Sequence, residues 1–321
     1  MDGSHDRHLD PATQAMLDDV LCGLWQAQKT LPPKWLYDHR GSELFEQITT
    51  LPEYHLTRTE AGILQAHATD LAGVVPDQGA LIEFGSGASV KTRMLLDAGA
   101  HFGAYVPIDI SADFLHLTAD DLRGRYPGLN ILPVVGDFTT AVPLPKSIAD
   151  MPQVGFFPGS TIGNLEPEMA CDLLANARDW PKAHGFILGA DMVNDIPAMI
   201  AAYDDAQGIT AAFISNILVR INTELSADFD LDQFGYRVTW NAERARIDMW
   251  VYAKTPQIVT IHDQRITFDK DEHIHISAAR KYTPESLAKQ VHQAGWIMDE
   301  MLTDQDDKFA VAVLRATEVK D

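Results

Sequence analysis

The chain has 321 residues, 46% of them apolar, enough for one large domain or two interlocked ones around a sizeable core. Forty-six acids against 25 bases give a formal charge of −21, a field that repels a phosphate backbone and argues against nucleic acid as a partner. No stretch approaches the roughly 18 uninterrupted apolar residues of a membrane span, and the start, MDGSHDRHLDP, has no basic stretch followed by an apolar run, so a cytoplasmic monomer with no membrane partner is expected.

Segments 11–30 and 40–50 carry apolar residues at helical spacing, with the Pro-rich LPPKWLYDHRGS at 31–42 between them and a further helix over 58–73. Short apolar runs then fall at 80–84, 104–108, 131–135, 154–158 and 186–190, separated by amphipathic stretches near 90–99, 112–125 and 166–178. Strands buried on both faces read as continuous apolar runs, and the strand–crossover–strand rhythm implies an α/β layer fold with a parallel sheet. The rhythm breaks after 190. One or two helices over 195–226 precede extended pieces at 236–240, 246–252, 257–262 and 265–268, and a helix at 284–294 and strands at 296–302 and 309–314 close the chain. Residues 195–280 read as a second, mixed module that packs against the N-terminal helices. Cys22 and Cys171 lie far apart without metal-type spacing and read as reduced, mostly buried thiols.

LIEFGSGAS, 81–89, is an apolar strand running into Gly85-Ser86-Gly87, where glycines allow a sharp turn and close approach of a ligand. A helix beginning near Ala88 would point its free N–H groups at that ligand. The next strand ends YVPIDIS with Asp109 at its tip, an acid placed to accept from both hydroxyls of a ribose. VVGDFT follows, with Asp137 and Phe138 able to hold an adenine amino group and stack its ring. The dinucleotide fingerprint wants a third glycine where this chain has Val90-Lys91, so S-adenosylmethionine fits the turn better than a nicotinamide dinucleotide. Helix capping is the plainer role for Asp109 and Asp137 taken singly.

Several stretches together resemble the ergothioneine-pathway histidine Nα-methyltransferases: YDHRGSELFEQITTLPEYHLTRTE at 37–60, EFGSGASVKTRMLL at 83–96, VPIDIS at 106–111, VVGDF at 134–138, FFPGSTIGNLEP at 156–167, AYDDAQGITAAFISNIL at 202–218 and INTELSADFD at 221–230. The resemblance implies a Rossmann-like class I S-adenosylmethionine-dependent methyltransferase sheet over 60–193 plus 283–321, and an α+β substrate-binding domain over 1–59 plus 194–282. It implies that Gly85, Ser86, Gly87, Lys91, Asp109, Asp137 and Phe138 hold the cofactor. Tyr54 would lie near the amine of a free amino acid, with Tyr37 nearby, and Asn164 and Tyr203 would hold its carboxylate. Methyl transfer from a sulfonium to a neutral amine is dominated by positioning, and tyrosine hydroxyls can accept from an amine without burying another charge.

The late family motif, roughly I-H-T-E-x-S-x-K-Y, departs here. In IHISAARKYT, 274–283, Ser277 stands in the Glu place and Ala279 in the Ser place, while Met249 still matches a neighbouring pocket position. His55 replaces the usual second Tyr after Pro-Glu-Tyr. An imidazole N–H left unpaired there would cost about 1–3 kcal/mol, which suits an aromatic amino acid such as tryptophan as second candidate, while the resemblance along nearly the whole chain keeps histidine first. A non-catalytic sensor of S-adenosylmethionine or an amino acid, and a nicotinamide dehydrogenase, are the alternatives of other classes. The 12 histidines, among them His5, His8, His273 and His275, form no metal set.

Overall fold

A computed structural model describes residues 9–87 and 90–316. They form two compact units built from separated stretches, the first from residues up to 54, 197–241 and 247–278, the second from 55–196, 242–246 and 279 onward.

In chain order, α1 Pro11–Leu24, β1 Lys29–Thr30 and α2 His39–Thr49 come first. Then follow α3 Leu56–Ala66, α4 Ala68–Ala72, β2 Ala80–Phe84, α5 Val90–Ala98, β3 Ala104–Asp109, α6 Ala112–Arg125, β4 Asn130–Ile131, β5 Val134–Val135, β6 Gln153–Phe157, α7 Pro167–Arg178 and β7 Ala183–Asp191. The chain continues through α8 Ile196–Ala201, α9 Ile209–Glu224, β8 Phe234–Asn241, β9 Arg246–Ala253, β10 Gln257–Ile261, β11 Gln264–Phe268 and β12 His273–Arg280, and then α10 Pro284–Gln293, β13 Trp296–Thr303 and β14 Phe309–Ala316.

In the second unit the sheet runs β13-β14-β7-β6-β2-β3-β4, with β5 also paired to β3. β2 is parallel to β3 and to β6, and β6 to β7, whereas β14 is antiparallel to both β7 and β13. The expected Rossmann-like α/β sheet is therefore present. Every residue of β2 and β6 is buried, which is why these strands read as unbroken apolar runs. The core gathers Phe84, Phe157, Phe186 and the fully buried Trp296, whose Nε1 donates to the Leu174 carbonyl at 2.8 Å. Strand order reverses between β2 and β6, and at such a switch point the carboxyl ends of the strands leave a crevice.

In the first unit a four-stranded sheet has the order β1-β12-β9-β8, and α2 packs along α9. β1 runs parallel to β12, Lys29 beside Ile274 and Thr30 beside His275. The expected helix over 11–30 stops at Leu24, because the chain turns back there. A Cβ on Gly23 would lie 2.2 Å from the Thr30 carbonyl oxygen, so only glycine lets β1 approach α1. The expected helix 58–73 breaks at His67 into α3 and α4. The expected strand 131–135 is two short pieces around Pro133, which has no N–H to give to a ladder. Residues 195–226 hold two helices, within the expected one or two, separated before Gly208, which has φ +71. Cys22 is exposed rather than buried, since α1 turns Met16, Leu17, Val20 and Leu24 inward and leaves position 22 outside that stripe. Among the described residues no helix is long and apolar enough to cross a membrane. His5, His8 and the helix start at Ala88 lie outside the described residues.

Candidate active site

The carboxyl edge of the parallel sheet is organised around the turn after β2. Gly85 and Gly87 have φ of +66 and +47, a left-handed backbone that glycine adopts without strain. A Cβ on Gly85 would lie 3.3 Å from the Phe138 ring, whereas one on Gly87 would meet nothing within 4 Å among the described residues. The turn is thus closed by Phe138 at one glycine and open at the other, which leaves room for a ligand against the backbone. Gly85 and Ser86 both donate their N–H to the Ile108 carbonyl, at 2.9 and 3.3 Å, tying the turn to β3.

Asp109, the last residue of β3, is fixed by two backbone donors. The Gly87 N–H reaches its Oδ2 at 3.1 Å and the Ser111 N–H its Oδ1 at 3.0 Å. A carboxylate has about four acceptor sites, so a ribose diol can still be held by an anion whose orientation is already set. Asp137 turns its Oδ1 to the N–H and hydroxyl of Thr139, at 2.9 and 2.6 Å. Phe138 packs edge-on against Phe157, ring centroids 5.4 Å apart, and an apolar recess lined by Ile108, Val142, Leu173 and Trp180 opens beside it. Ile110, 41% exposed directly after Asp109, was not picked out from the sequence, and its apolar surface at this edge is suited to cover a ring.

Lys91 forms an ion pair with Glu60, which is wholly buried on α3 and also accepts the Gly159 N–H on both oxygens, at 2.9 and 2.8 Å. The lysine is thereby anchored near the ends of β2 and β6. Sequence reading missed Glu60. Its signal was a charge on the apolar stripe of α3 that also carries Leu56, Ile63 and Leu64. Asn164 ends a short 3-10 helix, Thr161–Asn164, and is exposed. A Cβ on the preceding Gly163 would lie 2.6 Å from the Arg280 carbonyl oxygen, so that glycine admits a close backbone approach.

Glu83, within β2, accepts from the hydroxyls of Thr92 on α5 and Tyr105 on β3, which locks the elements on either side of the glycine turn. Burial pushes its carboxyl up to about 7, against those two hydrogen bonds and the Lys91 charge, with the Asp109 charge adding to the rise. Above pH ~4.5 the unfolded chain has released this proton while the folded chain still keeps it, up to pH ~7, so folding stability falls as pH rises through that window. Between pH 5 and 8 this group should remove about 2–3 kcal/mol. Urea unfolding of Glu83→Gln at both pH values should lack that decrement; an equal decrement in both proteins would reject the assignment.

In the first unit, Tyr54 and Tyr203, 7% and 8% exposed, meet edge-on with ring centroids 5.9 Å apart. The Tyr236 hydroxyl donates to the Tyr203 carbonyl at 2.7 Å and fixes that backbone, and burial holds this phenol neutral. Tyr37 packs with a separate aromatic group, Phe45 and Phe213, and is 40% exposed. Met249 is buried on β9, alternating with Asp248, and Ser277 is buried on β12 two residues beyond His275. The sequence did not point to Asp248, a carboxylate only 2% exposed that holds the His275 Nε2 at 2.9 Å beneath the Trp250 ring. Among the described residues no group of three or more His, Cys, Asp or Glu is placed to hold a metal ion.

The strand order, with an antiparallel β14 inserted between β7 and β13, together with a two-glycine turn that lacks the third glycine of dinucleotide folds, places the chain among the S-adenosylmethionine-dependent methyltransferases. It belongs to the histidine-specific, S-adenosylmethionine-dependent methyltransferase family, which matches residues 16–316. It is 39% identical over 314 residues to a histidine N-alpha-methyltransferase of Mycolicibacterium smegmatis, with 95% of this chain and 96% of that protein covered. A histidine N-alpha-methyltransferase of Mycobacterium tuberculosis shows the same identity and coverage. Ergothioneine biosynthesis protein 1 of Neurospora crassa is 30% identical over 278 residues, 83% of this chain and 31% of that protein.

Proposed function

We propose that this methyltransferase acts on the α-amino group of free L-histidine, in an ergothioneine-type route, as a cytoplasmic monomer without nucleic-acid or membrane partners. The observation that carries this reading is the preset carboxyl edge of the sheet, in a chain 39% identical along nearly its whole length to histidine N-alpha-methyltransferases. Residues 55–196 and 279 onward would serve as the cofactor-binding domain and the first unit as the substrate-binding domain.

Bound S-adenosylmethionine supplies an electrophilic methyl group on a sulfonium. Gly85, Ser86 and Gly87 would line its amino-acid portion, Lys91 would meet its carboxylate, Asp109 its ribose, and Asp137 and Phe138 its adenine. The fit rests on the open face of Gly87 and the preset Asp109 carboxylate. Tyr54, with Tyr37 in support, would orient the amine by accepting from it, leaving the lone pair free. Tyr203 and Asn164 would donate to the substrate carboxylate, and Met249 and Ser277 would meet its side chain. Orientation of the amine supplies most of the acceleration.

The purified protein with S-adenosylmethionine and a panel of twenty amino acids should release adenosylhomocysteine with histidine, and mass spectrometry of the product counts the methyl groups added. Release with tryptophan instead would favour the second substrate, which the uncharged Ser277 and Ala279 accommodate. Tight binding without release from any amino acid would favour a sensor. Tyr203→Phe should raise the KM for the amino acid about 10-fold or more, the loss of one hydrogen bond to a charged group, while cofactor affinity stays near wild type. Equal loss of both in parallel titrations would count against its role.

A further inference from the structure

A buried cluster of titratable side chains, separate from the residues assigned to the cofactor, closes the carboxyl end of β7. Asp191, the last residue of that strand, is 0% exposed. Its Oδ2 receives the Lys281 ammonium at 2.5 Å, and its N–H donates to the Ser160 hydroxyl at 2.9 Å. Its Oδ1 faces the Nε2 of His55 at 3.7 Å, and neither of these two buried atoms has a hydrogen-bond partner among the described residues. His55 thus faces Asp191 from β7, whose other oxygen is taken by Lys281 from the segment just past β12; Glu53, Arg58 and Glu60 are the charged residues beside His55 on its own segment.

The arrangement has a chemical consequence. Lys281 already compensates one oxygen of the Asp191 carboxylate, and the other stands open to an Nε2–H from the imidazole. An imidazole with one nitrogen facing a buried carboxylate has the other, Nδ1, available as a base. The location suits this role. β7 lies two strands from β2, roughly 10 Å at the usual strand spacing, on the same carboxyl edge as the glycine turn. His55 also directly follows Tyr54, the residue assigned above to the amine.

Amine methylation requires that a proton leave the nitrogen. An α-ammonium has no lone pair, and each methyl transfer leaves a new ammonium, so a proton must depart before every further round. We propose that His55 is the proton acceptor of the reaction, with the Asp191 carboxylate facing its Nε2; this rests on the amino-acid methyltransferase reading. The ammonium N–H proton passes to Nδ1 and its bonding pair stays on nitrogen. That pair then forms the N–CH3 bond as the C–S bond breaks and its electrons return to sulfur. The imidazolium, with Nε2–H on the Asp191 carboxylate, finally releases the proton to water.

His55→Gln and His55→Asn test this, each first checked for a cooperative melt and for wild-type affinity for adenosylhomocysteine. Turnover at pH 7 should fall about a hundredfold, with a KM for the amino acid within about twofold, and the deficit should shrink as pH rises toward 9, where water and hydroxide replace the base. A pH profile parallel to that of the wild type overturns the assignment. A second readout needs no turnover: in wild-type protein carrying 15N-labelled histidine and bound adenosylhomocysteine, addition of L-histidine should move the His55 signal, recognised by its absence in either variant, toward imidazolium. A stationary signal overturns the proposal. Wild-type turnover with unaffected variants removes only the His55 role. Absence of wild-type turnover with any amino acid removes the methyltransferase substrate reading and this proposal together.

Discussion

Asp191→Ala should destabilise the protein by about 3–5 kcal/mol, measured by urea unfolding, because it leaves the Lys281 ammonium buried without its counter-charge. Lys281 is 1% exposed in its side chain, and burial already lowers its affinity for a proton against the pull of Asp191. The loss should not appear in full when both charges go together. Asp191→Leu combined with Lys281→Met should recover most of the stability, since a buried ion pair replaced by apolar groups of similar size is often neutral. A double variant as unstable as the single one would show that the pair's other contacts, such as the Asp191 N–H to Ser160, carry the effect. The pair also fixes the segment that follows β12 against the end of β7; the Tyr282 N–H donates to the Asp191 carbonyl at 2.9 Å.

Asp109→Ala should weaken S-adenosylmethionine binding about a hundredfold or more while the melt stays cooperative. Two hydrogen bonds from a ribose to a charged acceptor are worth about 1.5–3 kcal/mol each. The same substitution removes the acceptor of the Gly87 and Ser111 N–H groups, so the turn loosens along with the direct contact. Isothermal titration settles the outcome: unchanged affinity in a folded variant would place the ribose elsewhere. Asp109→Asn keeps one acceptor oxygen and should fall between the two.

Much of the second unit was legible because its central strands are buried along their length. β2 matches its expected span of 80–84, and α6 its span of 112–125, since an unbroken apolar run and an amphipathic stretch are both local signals. The positions of Gly85, Asp109 and Asp137–Phe138 were legible for the same reason: Gly85 follows β2, Asp109 ends β3 and Asp137 lies just past β5. The parts that were missed depend on distant residues. Nothing near Glu60 announces that Lys91 and the Gly159 N–H will neutralise it. His55, Asp191 and Lys281 come from three remote segments and meet only when the sheet is assembled. The end of α1 at Leu24 was hidden because the demand on Gly23 comes from Thr30, a contact that helical periodicity does not encode. The split at Pro133 carried a local sign, an imino acid inside an apolar run, and the continuous hydrophobicity outweighed it.

The outermost hairpin of the large sheet imposes an order on biosynthesis. β14 completes the hydrogen bonding of β7 along Phe309–Arg315, yet more than a hundred residues separate the two strands, and most of the first unit is translated in between. Until those residues emerge from the ribosome, β7 presents an apolar, unpaired edge, the kind of surface that recruits other strands. The nascent chain therefore passes through an interval of aggregation risk that ends only when its own far segment arrives, and ribosomal stalling or nonsense truncation before residue 309 would leave that edge permanently open.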